Sequence, residues 1–271
     1  MKSYHEVRSI NYRHRRDEKE EFFVNIDDWI KSPYSSLKAR YYIEVSSIIV
    51  YFLQNTKITP NQISVIYTIL GIFAGIMLSL DSKIFIYSGL ILFVLKGVVD
   101  WSDGLLARVT NQTSNIGHII DTWGSHVGYY SLIFGVGMIC YNSQNQSIFL
   151  ILTCIIFFVS LIDFKLFGYH QLFYEILGGK KLLKESYSKK VENDEYNKKP
   201  FIKKIKSFLR YFLDDRSRTL DFICLIVFLE VLNDSIYFTK IILVLFLIKK
   251  ITTFLGNFFE IIILKKLKDK I

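Results

Sequence analysis

The segment DWSDGLLARVTNQTSNIGHIIDTWGS, residues 100–125, leaves one apolar run and enters the next. It carries Asp100, Asp103 and Asp121 together with Arg108 where the flanking residues are apolar. Asp100 and Asp103 are three apart, so on a helix they share a face. A helical hairpin would bring Asp121 to the same end. Three carboxylates at low dielectric repel one another unless a cation or protons join them. Oxygen ligands suit a hard cation, chiefly Mg²⁺ with Mn²⁺ as the alternative. Mg²⁺ on a few carboxylates shares its other positions with water and phosphate oxygens, so a divalent-bound diphosphate is the natural guest. Gly104, Ala107 and Gly117 leave space beside the carboxylates, and the guanidinium fork of Arg108 suits phosphate. One Asp at a helix end is usually a solvated cap, and one Gly in a membrane helix is usually a packing contact. Taken together, that bland reading needs several half-buried charges without partners.

The elements that must hold these residues are apolar helices. The chain is 271 residues long, 51% hydrophobic, and has only three prolines. Its apolar residues fall in six runs, 61–80, 84–102, 116–141, 147–169, 217–232 and 236–262, each near the roughly 20 residues a membrane crossing takes. The fifth is short, which local thinning accommodates. The expected fold is therefore all-α and integral to the membrane, with six transmembrane helices preceded by an interfacial amphipathic helix. That helix is read at 36–55, where Leu37, Tyr41, Val45, Ile48, Ile49 and Phe52 recur at helical spacing while Lys38, Arg40 and Glu44 interrupt the run; a partly inserted span is the alternative. Thr59-Pro60-Asn61 opens the first span, with Thr59 as N-cap and Pro60 in the first turn.

Three regions are expected: a polar, loosely ordered segment at 1–32, a membrane domain at 33–262 with a basic loop at 170–216, and a basic tail at 263–271. The opening residues mix both charge signs and lack an apolar core, so no signal peptide is read there. Within 199–213, Phe201, Ile202, Ile205, Phe208, Leu209 and Phe212 share a face, a second interfacial helix. The formal net charge is +9. Lys180, Lys181, Lys203, Lys204 and Arg210 crowd the 170–216 loop, whereas the short turns near 81–83, 141–146 and 233–235 hold only Lys83. The positive-inside rule then places both termini, the 103–116 turn and the basic loop in the cytosol. Anionic lipid head groups satisfy such flanking charge, and no nucleic-acid partner is needed. Cys140, Cys154 and Cys224 lie in apolar runs without metal-ligand spacing and read as reduced packing residues. Asn111 and Asn145 head glycosylation sequons.

The 100–125 stretch resembles the signature of the CDP-alcohol phosphatidyltransferases, D-x2-D-G-x2-A-R-x8-G-x3-D-x3-D. Asp100, Asp103, Gly104, Ala107, Arg108, Gly117 and Asp121 stand at the required spacing, and Ser125 stands where the fourth aspartate belongs. The resemblance extends to the TPN-like start at Thr59–Asn61, the amphipathic helix before it and the six spans, about residues 33–262. It implies that a CDP-linked donor, usually CDP-diacylglycerol, gives its phosphoryl-bearing group to an acceptor alcohol while CMP leaves. It also implies that Asp100, Asp103 and Asp121 ligate divalent ions (Mg²⁺ or Mn²⁺) and that Arg108 neutralises phosphate. Gly104, Ala107, Gly117, Asn61 and Ser125 fall among the substrate-binding positions. Related enzymes are commonly homodimers.

In the family the fourth aspartate serves as general base and helps hold the second metal, and Ser125 does neither well. His126 is the first candidate base, an imidazole being suited to proton transfer near neutral pH, although it is rotated about 100° from Ser125. Gly124 lets the helix bend. His118, one turn into the same helix, is the second. The bland reading of His126 is a packing histidine. Two other functions stay open: a degenerate relative that binds metal and nucleotide without turnover, and an aspartate-rich prenyltransferase of the UbiA type.

Overall fold

The computed structural model describes residues 2–22, 33–162 and 217–262, and every regular element among them is α-helical. The helices are α1 (Tyr4–Phe22), α2 (Pro33–Leu53), α3 (Pro60–Ser79), α4 (Lys83–Val109), α5 (Asn115–Gln144), α6 (Ser147–Leu161), α7 (Ser217–Leu232) and α8 (Tyr237–Ile262). The chain divides into two compact units, Met1–Gly135 and Val136–Ile271. The expected basic loop at 170–216, with its 199–213 helix, and the expected basic tail at 263–271 lie outside the described residues.

Among the described residues two helices, α3 and α4, are long and apolar enough to cross a membrane, and α6 is a shorter apolar helix. Ile66, Ile69, Phe73 and Ile76 on α3 and Ile84, Ile91 and Leu95 on α4 are exposed. Apolar side chains turned outward this densely suit lipid rather than water. α4 runs to Val109, beyond the expected end at 102, so Asp103, Gly104, Ala107 and Arg108 stand on helix and the turn begins only at Thr110. It stops there because Asn111 adopts a left-handed φ of 57°, and the Gln112 N–H reaches back to the Ala107 carbonyl at 2.8 Å. This is a Schellman closure with Asn standing in for Gly. Asn145 and Asp234, with φ of 51° and 52°, follow α5 and α7. Cys140 and Cys224 are buried as expected; Cys154 is exposed on α6.

α3 begins as its sequence dictates. Thr59 Oγ1 accepts from the Gln62 N–H, and Gln62 Oε1 accepts from the Thr59 N–H at 2.9 Å, a reciprocal capping box with Pro60 in the first turn. α3 then packs on α5 through small residues. A Cβ on Gly75 would lie 2.6 Å from the Ser131 carbonyl oxygen, and one on Gly71 3.1 Å from the Gly128 Cα. Close backbone approach of this kind is how membrane helices gain packing energy.

Of the polar opening segment, Tyr4–Phe22 is helix α1, and its described side chains pack on α2 and α4. One face of α1 presents Val7, Asn11 and His14 at helical spacing. Val7 joins Val50, Ile63, Leu105, Leu106 and Val109 in a core shared by α1 to α4. Asn11 Nδ2 donates to Ser46 Oγ and Ser47 Oγ of α2, at 3.1 and 3.2 Å. A second face clamps Glu44. Arg8 engages both its carboxylate oxygens at 2.7–2.9 Å, and Tyr12 and Tyr4 donate to it at 2.6 and 3.1 Å. Lys2 Nζ donates to the Val109 carbonyl at 2.9 Å, a cation at the C-terminus of α4. Glu44, read from sequence as an interruption of an apolar face, is thus the anchor for α1. Tyr41, Ile48 and Phe52 of α2 stay exposed on the other side.

Two outcomes follow. The Arg8 clamp and the two tyrosine hydroxyls hold the Glu44 carboxyl at about 2, below its ordinary 4.5. The carboxyl is depressed in the folded state, so its contribution is complete above about 4.5 and fades as pH falls toward 2. A spin-label pair at Ser9 and Ile48 should report α1 loosening over that window, and Glu44→Gln should abolish the pH dependence. Gly75→Ala forces backbone apart and should cost about 1–3 kcal/mol, read as a lower melting temperature in detergent.

Candidate functional site

A cavity of about 500 Å³ opens within the first unit, lined by residues of α1, α3, α4, α5 and the α4–α5 turn. α3 supplies Pro60, Asn61 and Ser64 from its first turns; α4 supplies Asp100, Trp101, Asp103, Gly104, Ala107 and Arg108. The Schellman turn presents Gln112, Thr113 and Ser114, and α5 adds Gly117, His118, Asp121 and Ser125. His14 enters from α1. Every site residue singled out from sequence lines this one cavity except His126. His118, three residues before Asp121 and seven before Ser125, shares their face of α5; His126 does not stand in the wall.

The carboxylates are oriented individually. Asp103 is buried and accepts from Ser64 Oγ at 2.5 Å and from the Gly104 N–H. Tyr67 Oη donates to Asp121 at both its carbonyl oxygen, 2.5 Å away, and its Oδ1, 2.8 Å away. Tyr67 is itself fully buried, and Lys96 Nζ lies over its ring at 4.9 Å. Lys96 fits there because Gly128 has no side chain; a Cβ would come within 2.5 Å of its Cε. Gly124 is likewise bare because a Cβ would run into Thr68 and Tyr67.

The small motif residues have separate uses. The Arg108 guanidinium lies back across Gly104, whose imagined Cβ would be 3.3 Å from Nη1. A Cβ on Gly117 would stand 3.0 Å from Asn61 Oδ1 and 3.1 Å from Ser114 Oγ, and the Gly117 N–H donates to that same Ser114 oxygen at 2.9 Å. Gly117 therefore lets the starts of α3 and α5 meet at the cavity. Trp101 is steadied from behind by stacking on Tyr42, with ring centroids 5.3 Å apart.

Among the described residues, no three His, Cys, Asp or Glu side chains converge into a ready-made metal cage. The donor set nevertheless suits a hard divalent ion. Three carboxylates face one polar cavity, and Mg²⁺ commonly rests on one or two carboxylates while water and phosphate oxygens complete its shell. An open arrangement is what a shared ligand sphere requires.

Residues 57–191, about half of the chain, match the CDP-alcohol phosphatidyltransferase family. The chain carries a domain of that family. Two relatives named "Putative cardiolipin synthase", from Mycobacterium tuberculosis and Mycobacterium bovis, are each 37% identical over 70 residues. That stretch is 25% of this chain and 32% of theirs, so the chain matches about a third of the length of these relatives. The CDP-alcohol phosphatidyltransferase match contains every cavity residue from Pro60 to Ser125, while His14 precedes it.

Sequence reasoning missed Ser64, Tyr67 and His14. Ser64 left a trace: Asn61, Ser64, Thr68, Gly71 and Gly75 form a polar and small stripe along an otherwise apolar helix. Removing the Tyr67 hydroxyl should free Asp121 to turn away. Tyr67→Phe should weaken Mn²⁺ binding about tenfold or more, the usual cost of losing an outer-sphere partner, as read by titration in the presence of CDP.

Proposed function

We propose that this domain transfers a substituted phosphoryl group from a CDP-linked lipid donor, such as CDP-diacylglycerol, to an alcohol acceptor in phospholipid biosynthesis. The observation that carries this reading is the shared cavity of Asp100, Asp103, Asp121 and Arg108 at the ends of apolar helices. The acceptor oxygen forms a bond to the donor's lipid-bearing phosphorus. The bond from that phosphorus to the bridging oxygen breaks, and CMP leaves with the electron pair. Asp100, Asp103 and Asp121 would hold Mg²⁺ or Mn²⁺. When bound, the ion neutralises charge on the diphosphate. Arg108 adds a fixed positive fork on the same phosphates. Gly104, Ala107 and Gly117 leave the nucleotide room, Asn61 and Ser125 face it, and Ser64 and Tyr67 hold two of the carboxylates in place.

The acceptor's proton needs a base, because Ser125 removes the fourth carboxylate of the pattern. His118 is favoured over His126 because it stands in the cavity wall with Asp121 and Ser125. A second reading, binding of nucleotide without turnover, is favoured by Ser125 itself. The membrane arrangement proposed is six spans, with α2 along the interface and the cavity and both termini facing the cytosol, supported by the basic flanks.

The experiment is release of CMP from labelled CDP-diacylglycerol by the purified protein in lipid, with a panel of alcohols and Mg²⁺ or Mn²⁺. Acceptor-dependent CMP is expected. Saturable binding with no CMP across the panel favours the non-catalytic reading, and inorganic diphosphate released from a prenyl donor contradicts both. Asp121→Ala should abolish release. His118→Ala should lower kcat about 10²-fold or more while His126→Ala leaves it within a few-fold; the opposite order would reassign the base. Ser125→Asp should raise the rate if the remaining site is intact.

A further inference from the structure

We propose that His14 is a positioning residue for Arg108, so that α1, which lies outside the matched family region, forms part of the phosphate-binding wall. This rests on the transferase reading and extends it to a residue that the motif does not contain.

Arg108 has only donors and stays charged. It can bind phosphate oxygens well only if its fork is held at a fixed angle, since its long side chain otherwise gives up rotamer freedom on binding. Two contacts meet at its Nη1. It lies against Gly104, one helical turn earlier, where any Cβ would crowd Nη1 at 3.3 Å. His14 Nε2 lies 3.4 Å from the same Nη1. An arginine N–H cannot accept, so a hydrogen bond here requires the Nε2 lone pair of His14, in the tautomer that carries its proton on Nδ1. Both side chains line the cavity. His14 thereby turns the Arg108 fork toward the space in which the donor's phosphates would lie.

α1 is built to deliver this contact. Val7, Asn11 and His14 follow one another along a single face at spacings of four and three. Val7 is sealed in the core, Asn11 is bonded to α2, and the bidentate Arg8–Glu44 pair fixes the helix against rotation. A helix that served only to cover α2 would have no need to place an imidazole at the cavity edge.

The test measures both catalysis and binding. With CDP-diacylglycerol as varied substrate, His14→Ala should raise KM about tenfold, the scale of one hydrogen bond to a charged group, while kcat stays within about threefold. His14→Gln, whose amide oxygen can accept as Nε2 does, should restore KM to within about threefold of the parent. His14→Lys, which cannot accept, should be at least as impaired as His14→Ala. In an Arg108→Ala background, His14→Ala should add no further loss, because its partner is gone. Calorimetric titration with CDP and Mg²⁺ separates the two ideas. Parent protein that binds CDP, with His14→Ala binding equally tightly, overturns the role of His14 and leaves the transferase reading standing. Parent protein that fails to bind CDP overturns both. A His14→Gln variant as weak as His14→Ala, with α1 still docked by the Ser9–Ile48 spin-label distance, also overturns the proposal.

Discussion

Three like charges have to share one small cavity at the ends of apolar helices, and the rest of the first unit is arranged around that demand. Unpaired, such carboxylates would repel one another and pay heavily for leaving water. The structure answers with local hydrogen bonds. Ser64 and the Gly104 N–H hold Asp103, and the Tyr67 hydroxyl holds Asp121. These bonds fix where the oxygens point and leave acceptor capacity toward the cavity. On the reading proposed above, a nucleoside diphosphate with its divalent ion would meet the carboxylates through the ion and Arg108 through its phosphates.

Positioning then passes outward in layers. Tyr67 is placed by the packing of α3 on α5, which depends on residues too small to hold the backbones apart. The start of α3 is set by the Thr59–Gln62 capping box, so Asn61 and Ser64 arrive at the cavity in register. The end of α4 is set by the left-handed Asn111, which turns the chain into α5 within a few residues. Behind α4 stands the core of Val7, Val50, Ile63, Leu105, Leu106 and Val109. A charge-bearing helix end is thus fixed by an apolar core on one side and a small-residue seam on the other.

Much of this is legible in the residues alone. The motif from Asp100 to Ser125 was readable because it sets particular side chains at fixed spacing along the chain, and all of them line the cavity. The bounds of α3, α7 and α8 were readable from apolar run length and from Thr59 and Pro60. The end of α4 was not, since Asp and Arg beyond residue 102 look like a loop until one sees that the cavity receives them. The reading of α1 failed for a related reason. Its contacts are made by a spread set, Val7, Arg8, Asn11 and Tyr12, each of which meets a partner distant in sequence, and a mixed-charge segment carries no periodic apolar signal. Glu44 misled in the same way: alone it is a flaw in an amphipathic face, and only its clamp on α1 explains it. His126 was chosen by adjacency to Ser125, whereas helical geometry favours His118 at seven residues' separation.

The central claim is that the three aspartates bring a divalent ion and a CDP phosphate together. Electron–nuclear double resonance on Mn²⁺-loaded protein with CDP tests this most directly. The account predicts ³¹P couplings that place nucleotide phosphate in the ion's own coordination sphere, and their loss in Asp103→Ala. Tight CDP binding that survives chelation, or bound Mn²⁺ with no ³¹P coupling, would contradict it.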